Sequence, residues 1–187
     1  MDETPRKRWF DRLRRPSVKY SVLTLLVFGI VLGVVGLIAF DTALHATSTE
    51  EFCISCHDMA AIPYAQLKTT SHFSNRTGVT ATCSDCHLPK AFVPKMIRKV
   101  EAAREVWGTL TGVIDTPEKY AAHLPEMKAR EIARLQANDS QECRDCHNME
   151  RMRPELQGKM AQRFHQPSRM KDKSCIDCHE GIAHPES

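Results

Sequence analysis

The sequence predicts a mainly α-helical chain with little regular structure: one N-terminal transmembrane helix, then two related lobes. Three observations predict it. An uncharged apolar run spans positions 20–40, the pentad C-x-x-C-H occurs four times behind it, and the remainder is too charged and too poor in aromatic residues for a conventional core.

The first nineteen residues carry seven basic side chains (Arg6, Lys7, Arg8, Arg12, Arg14, Arg15, Lys19) against Asp2, Glu3 and Asp11. That block outweighs the net +3 of the whole chain, so everything behind it is close to neutral and no nucleic-acid partner is expected. The run that follows, YSVLTLLVFGIVLGVVGLIAF, has no charge, and about 20 apolar residues is the length a helix needs to cross a bilayer. The basic end is expected in the cytoplasm and everything past Phe40 in the periplasm, because basic flanks stay inside. A cleaved signal would have an apolar core of about 7–15 residues and a small-x-small site. This run is longer and ends LIAFDTALHATS, so a retained single-pass anchor in the cytoplasmic membrane is expected. Gly29 and Gly33 form a GxxxG through which such helices can pair into an oligomer.

All eight cysteines fall into the four pentads: Cys53/Cys56/His57, Cys83/Cys86/His87, Cys143/Cys146/His147 and Cys175/Cys178/His179. This is the attachment pattern of c-type haem, in which two thiols add to the porphyrin and the adjacent imidazole is brought under the iron. Paired C-x-x-C units also build structural zinc sites, but those need no histidine directly after each second cysteine. Disulfides would likewise leave the four histidines unexplained. Four covalent haems are therefore expected, and their macrocycles supply the interior that side chains do not.

The pentads are arranged as a repeat. Cys53 is followed by His72 and then Cys83, and Cys143 by His165 and then Cys175, at similar spacings. The expected organisation is a basic segment 1–19, an anchor 20–40 and a haem domain 41–187. Within the domain, lobes span approximately 50–93 and 140–187, with a helical connector 94–139. In the connector, Met96, Val100, Ala103 and Trp107 recur at helical spacing over 94–110. A second helix is expected to start at Thr116 as cap with Pro117 in the first turn, to be interrupted at Pro125, and to resume over 126–136.

A low-spin haem iron takes a sixth ligand, and five histidines lie outside the pentads. His72 and His165 occupy equivalent places in the repeat, and His184 sits just past His179, so these three are the expected distal ligands. His45 and His123 are read as surface residues. One iron then lacks a second imidazole, and methionine is an accepted axial ligand. Met59 and Met149 stand at the same distance from His57 and His147, so spacing does not choose between them.

With these motifs in view the chain resembles the NapC/NirT family of membrane-anchored multihaem quinol dehydrogenases. The resemblance runs over essentially the whole chain, through CISCHDM, SHFSNRTGVTATCSDCHLPK, IDTPEKY, DSQECRDCH and CIDCHEGIAH. It implies a tetrahaem cytochrome whose first haem takes Met59 as axial ligand, in preference to His57 and to Met149, with the opposite face left to quinol. His57 as an ordinary proximal ligand is the alternative. The resemblance also implies that Lys99 serves the quinol site, with Glu101 and Glu105 as acidic neighbours able to accept protons. The expected function is quinol oxidation, with electrons passed to a periplasmic terminal reductase, nitrate reductase before others. The alternative is an electron-transfer subunit for a nitrite or other periplasmic reductase, without a quinol site of its own.

Overall fold

A computed structural model describes residues 18–185, apart from the side chain of His57. The basic block up to residue 17 lies outside the described residues. Among those described, every regular element is helical. The chain divides after Ala46 into two units.

The first unit is helix α1, Val22–Ala46, long and apolar enough to cross a membrane. Its 25 residues span about 37 Å, against a hydrocarbon thickness of about 30 Å. The Ser21 hydroxyl accepts the Thr24 amide at 3.2 Å and so opens the helix. The sequence places the end of the anchor at residue 40, but the helix continues to Ala46. No glycine or proline stands between Asp41 and Ala46, and Asp41 and His45 face each other one turn apart at 4.0 Å.

The second unit starts at Thr47. Helix α2, Glu50–Cys53, is capped by Thr49, whose Oγ1 accepts the Phe52 amide at 3.1 Å. A wound stretch over 57–67 follows, containing a π turn at Ala60–Tyr64 that carries Pro63. Helix α3, Cys83–His87, opens with a capping box in which Thr82 and Asp85 satisfy each other's backbone amides. The 3₁₀ turn Cys175–Asp177 has the same box, made by Ser174 and Asp177. The second and fourth pentads thus open alike, and S/T-C-x-D-C-H is the signal for it.

Helix α4, Phe92–Leu110, ends at Gly112, whose φ of +77° is a left-handed turn that favours glycine. Helix α5, Pro117–Ala137, starts as expected, with Thr116 accepting the Lys119 amide and Pro117 in the first turn. Pro125 does not interrupt it. Proline removes one amide, and here the helix is clamped on its C-terminal side by Arg130 on Glu126 (2.6 Å) and on Glu105 of α4 (2.9 Å), and by Arg98 of α4 on Glu131 (3.0 Å).

After α5 the chain turns through Asp139 and Ser140, both left-handed, into helix α6, Gln141–Arg144. Ser140 is completely buried and its Oγ accepts the Ile176 amide at 3.2 Å, which ties the third pentad to the fourth. Helices α7, Lys159–Phe164, and α8, Pro167–Met170, complete the unit. Among the described residues its buried large apolar side chains are Leu67, Ile114 and Tyr120. So small a polypeptide core cannot order a unit of this size, and a large apolar group is the interior it fits.

Candidate functional site

The pentads pack as neighbours along the chain order. Helix α2 lies on α3, α3 on α6, and the end of α5 on the turn of the fourth pentad. The Cys53 and Cys83 sulfurs are within hydrogen-bonding reach. Gln136 donates to Asp177 at 2.7 Å and fixes the fourth pentad to α5.

The eight cysteines are not equivalent, although the motif treats its two thiols alike. Cys53, Cys83, Cys86, Cys143 and Cys175 are half-buried, whereas Cys56, Cys146 and Cys178 are exposed. The polypeptide does not enclose Cys56, Cys146 or Cys178. The reason is local. In the first, third and fourth pentads the leading cysteine lies within a helical element, α2, α6 or the Cys175–Asp177 turn, while the second cysteine comes after that element has ended. Cys178 directly follows its turn, with its amide on the Cys175 carbonyl at 3.3 Å, and the Cys56 carbonyl accepts the Ala60 amide at 3.1 Å as the chain winds on. In the second pentad α3 runs through both cysteines, so Cys86 is half-buried, and burial, then the sulfur of Cys143, push its thiol up to about 11. Exposure does not count against tethering, since a thiol that adds to a porphyrin vinyl group must be open to it.

Each of the three pentad histidines with a described side chain faces one of the three expected distal histidines. The ring centroids are 6.2 Å apart for His87 and His184, 6.2 Å for His147 and His72, and 5.9 Å for His179 and His165. An iron held about 2 Å from one nitrogen of each of two opposed rings puts the centroids roughly 6 Å apart, so the spacing fits the bis-histidine ligation of haem. Three Nδ1 atoms are occupied elsewhere: His87 on Glu131 (2.8 Å), His184 on the Pro63 carbonyl (3.1 Å) and His165 on Gln157 Oε1 (2.7 Å). That leaves Nε2 for a metal, the usual division of labour in a ligating imidazole. Burial, and then the neighbouring imidazoles, push His72 and His184 below the usual histidine range, toward the neutral form that binds metal.

The repeat in the sequence leaves the pairing open. His165 meets His179 of its own lobe, but His72 reaches across to His147 of the other, and His87 is met by the C-terminal His184. A loop held by Asn75 positions His72: its Oδ1 accepts from Thr77 and Gly78 and its Nδ2 donates to the Ser71 and Val79 carbonyls. His45 is exposed on α1, and His123 donates to the Lys119 carbonyl one turn back.

Of the odd axial position, Met59 is described and the His57 side chain lies outside the described residues. The Met59 sulfur accepts from the Tyr120 hydroxyl at 3.8 Å, and Tyr120 is one of the few buried apolar groups. Burial, then Asp58 and Glu105, push the Tyr120 phenol up, so it remains a donor. Met149 lies elsewhere, in a cleft of about 280 Å³ beside His165 with Met152, Pro154 and Met170.

Lys99 donates to both the carbonyl (3.0 Å) and the hydroxyl (2.8 Å) of Thr47, the residue directly after α1. Burial lowers its ammonium's pKa, and the Cys53 sulfur is close enough to oppose that electrostatically. The two glutamates do not converge on it: Glu101 is exposed beside Arg98 at 4.0 Å, and Glu105 is held by Arg130.

A largely buried polar network, not singled out in the sequence, lies behind His87. Glu131 accepts from His87, Arg98 and Arg134, and Arg134 continues to Glu142 (2.5 Å) and to the Cys86 carbonyl (3.3 Å). Burial acts to raise the Glu131 carboxyl, but the bonds from His87 and Arg134 overcome it and hold it well below the usual carboxylate range. The i, i+3 pair Glu131 and Arg134 on a polar helix face gave no sign of this role.

Residues 15–187 match the family described as NapC/NirT cytochrome c family, N-terminal region. The chain is 51% identical to the denitrification system component NirT of Stutzerimonas stutzeri, over 92% of this chain and 86% of that protein. It is 47% identical to the cytochrome c-type protein NapC of Escherichia coli (strain K12), over 95% and 88%. It is 43% identical to TorC of the same strain over 96% of this chain, which is 46% of TorC. No solved structure matches the chain.

Proposed function

The chain belongs to the NapC/NirT cytochrome c family, and from that premise we propose that it holds four haems c, oxidises membrane quinol and delivers the electrons to a periplasmic reductase, nitrate reductase before others. Membership itself carries the coarser part: a membrane-anchored cytochrome with covalently bound haem in quinol-linked electron transfer. The observation that carries the finer reading is Lys99, bonded to the first residue beyond the membrane-length helix and close to Cys53 of the first pentad. A headgroup still seated in lipid is within reach of such a place.

When bound, haem supplies reversible one-electron chemistry. The eight cysteines would tether the macrocycles, with Cys56, Cys146 and Cys178 as the exposed members of their pairs, and the elements that carry the pentads pack against one another. His87 with His184, His147 with His72 and His179 with His165 are the imidazole pairs that would hold iron. Met59, steadied by Tyr120, would be the ligand to the remaining iron, the site at which quinol would be oxidised. Lys99 orients a quinol oxygen by donating to it. Glu101, exposed, is the acceptor that returns protons to water, while Glu105 works with Arg130 as a structural pair.

Purified protein is expected to show about four haems per chain by the pyridine haemochrome method, in line with the four pentads. It should be reduced by a short-chain quinol and reoxidised by nitrate reductase. A ratio of two would remove the tetrahaem reading. Reduction only through another membrane protein would favour an electron-transfer subunit without a quinol site. The NirT relative, at 51% identity, makes the reductases of denitrification the second acceptors to try. For topology, protease added outside spheroplasts should digest the haem domain and spare an N-terminal tag, because the basic block precedes the apolar run. Release of a soluble haem protein would identify that run as a cleaved signal.

A further inference from the structure

We infer that Glu131 is a potential-setting residue, whose carboxylate, by taking the Nδ1–H of His87, makes the site between His87 and His184 the lowest in potential of the three histidine pairs. This rests on the axial pairing proposed above. A ligating imidazole that gives its second proton to a carboxylate pushes more electron density onto the metal-bound nitrogen. The extra density stabilises the ferric form, so the sign is a lowered potential.

Two of the other imidazoles have neutral acceptors. His184 gives its proton to the Pro63 carbonyl and His165 to the side-chain amide of Gln157, both neutral. The Nδ1 of His72 is buried without a hydrogen-bond partner among the described residues. Only His87, among the described imidazoles, meets a largely buried carboxylate at 2.8 Å. Three features keep that carboxylate ionised and aimed. Arg98 binds Oε2 at 3.0 Å, while the imidazole binds Oε1. Arg134 binds Oε1 and Oε2 from the same helix, at 2.8 and 3.1 Å, and is itself anchored on Glu142 and on the Cys86 carbonyl of the second pentad. The network therefore connects the tether, the proximal imidazole and helix α5 in one piece. Two guanidiniums and two carboxylates balance within it, so replacing Glu131 by glutamine both weakens the acceptor and leaves an excess positive charge nearby, and both act to raise the potential.

The experiment is a potentiometric titration of the full chain in nanodiscs, followed optically and by EPR, for wild type, Glu131→Gln, Glu142→Gln and His184→Met. His184→Met identifies the site, because it converts one bis-histidine signal and raises its potential. Glu131→Gln is expected to shift the reduction equilibrium of that same signal by about tenfold, about 59 mV for one electron, with the haem content unchanged. Glu142→Gln removes a charge from the same network without touching the imidazole, and should move that signal by less than half as much. If His184→Met perturbs one signal and Glu131→Gln leaves all four potentials in place, the inference about Glu131 is overturned and the pairing stands. If His184→Met perturbs no bis-histidine signal, the pairing itself fails. Should Glu131→Gln not assemble, Glu131→Asp reads the same relation with the charge kept: one methylene shorter, the carboxylate withdraws from the His87 imidazole, so the potential of that signal should rise, and a fall or no change there overturns the inference.

Discussion

Replacing Cys143 and Cys146 together by serine is expected to leave the unit beyond Thr47 without a native fold, not merely one haem short. The third pentad is where the unit is joined. Helix α6, which carries Cys143, packs on α3, and His147 faces His72 of the first lobe. Ser140, just ahead, holds the fourth pentad through the Ile176 amide. Against these links stand the buried apolar side chains of Leu67, Ile114 and Tyr120, worth about 2 kcal/mol each, while ordering a residue costs about 1–2 kcal/mol. A macrocycle lost from the junction cannot be made good by the polypeptide. The check is limited proteolysis of membranes followed by haem staining, with at least a tenfold drop in the protease-resistant holoprotein expected. A three-haem form as resistant as wild type would show that the chain carries the fold by itself.

Substituting Met59 by leucine is expected to lower quinol oxidation by roughly 100-fold while three bis-histidine signals persist. Leucine keeps the volume, at a stability cost below about 1.5 kcal/mol, and removes the sulfur that Tyr120 donates to at 3.8 Å. On the proposed ligation, an axial ligand is thereby lost where the described residues provide no histidine pair. The EPR spectrum should lose or alter its single high-spin component. Met149→Leu, in the cleft beside His165, should leave both the spectrum and the rate close to wild type. The reverse result would move the open site to the second lobe and withdraw Lys99 from the quinol site.

Much of this molecule is written locally. A pentad needs its two thiols and imidazole within five residues and depends on nothing further away, so all eight pentad cysteines are legible. The same holds for the Thr116 cap of α5 and for the apolar run, whose chemistry is length and composition. Even there the local rules had limits. Pro125 signals a break that ion pairs to α4 override. The pentad also says nothing of how deep each thiol sits: Cys56 and Cys178 are exposed while Cys53 and Cys175, three positions earlier, are half-buried. Depth depends on where the helical turn stops and what packs on it.

The axial partners are of another kind. His72 and His165 occupy equivalent places in a repeated sequence, yet one ring faces the opposite lobe and the other its own. An imidazole's partner is whichever ring the packing delivers across about 6 Å, and that packing depends on α4 and α5, which stand between the two halves in sequence and have no counterpart in either. Their insertion breaks the equivalence of the repeat. It also brings Glu131 and Arg134 to the back of His87, and Tyr120 to Met59, contacts between residues far apart in sequence. By itself the sequence determined where the four pentads stand, because a five-residue pattern is a short-range matter. Which rings face one another, and which neighbour takes the proton of each, was decided by the tertiary structure, because both require long-range packing that no five-residue pattern encodes.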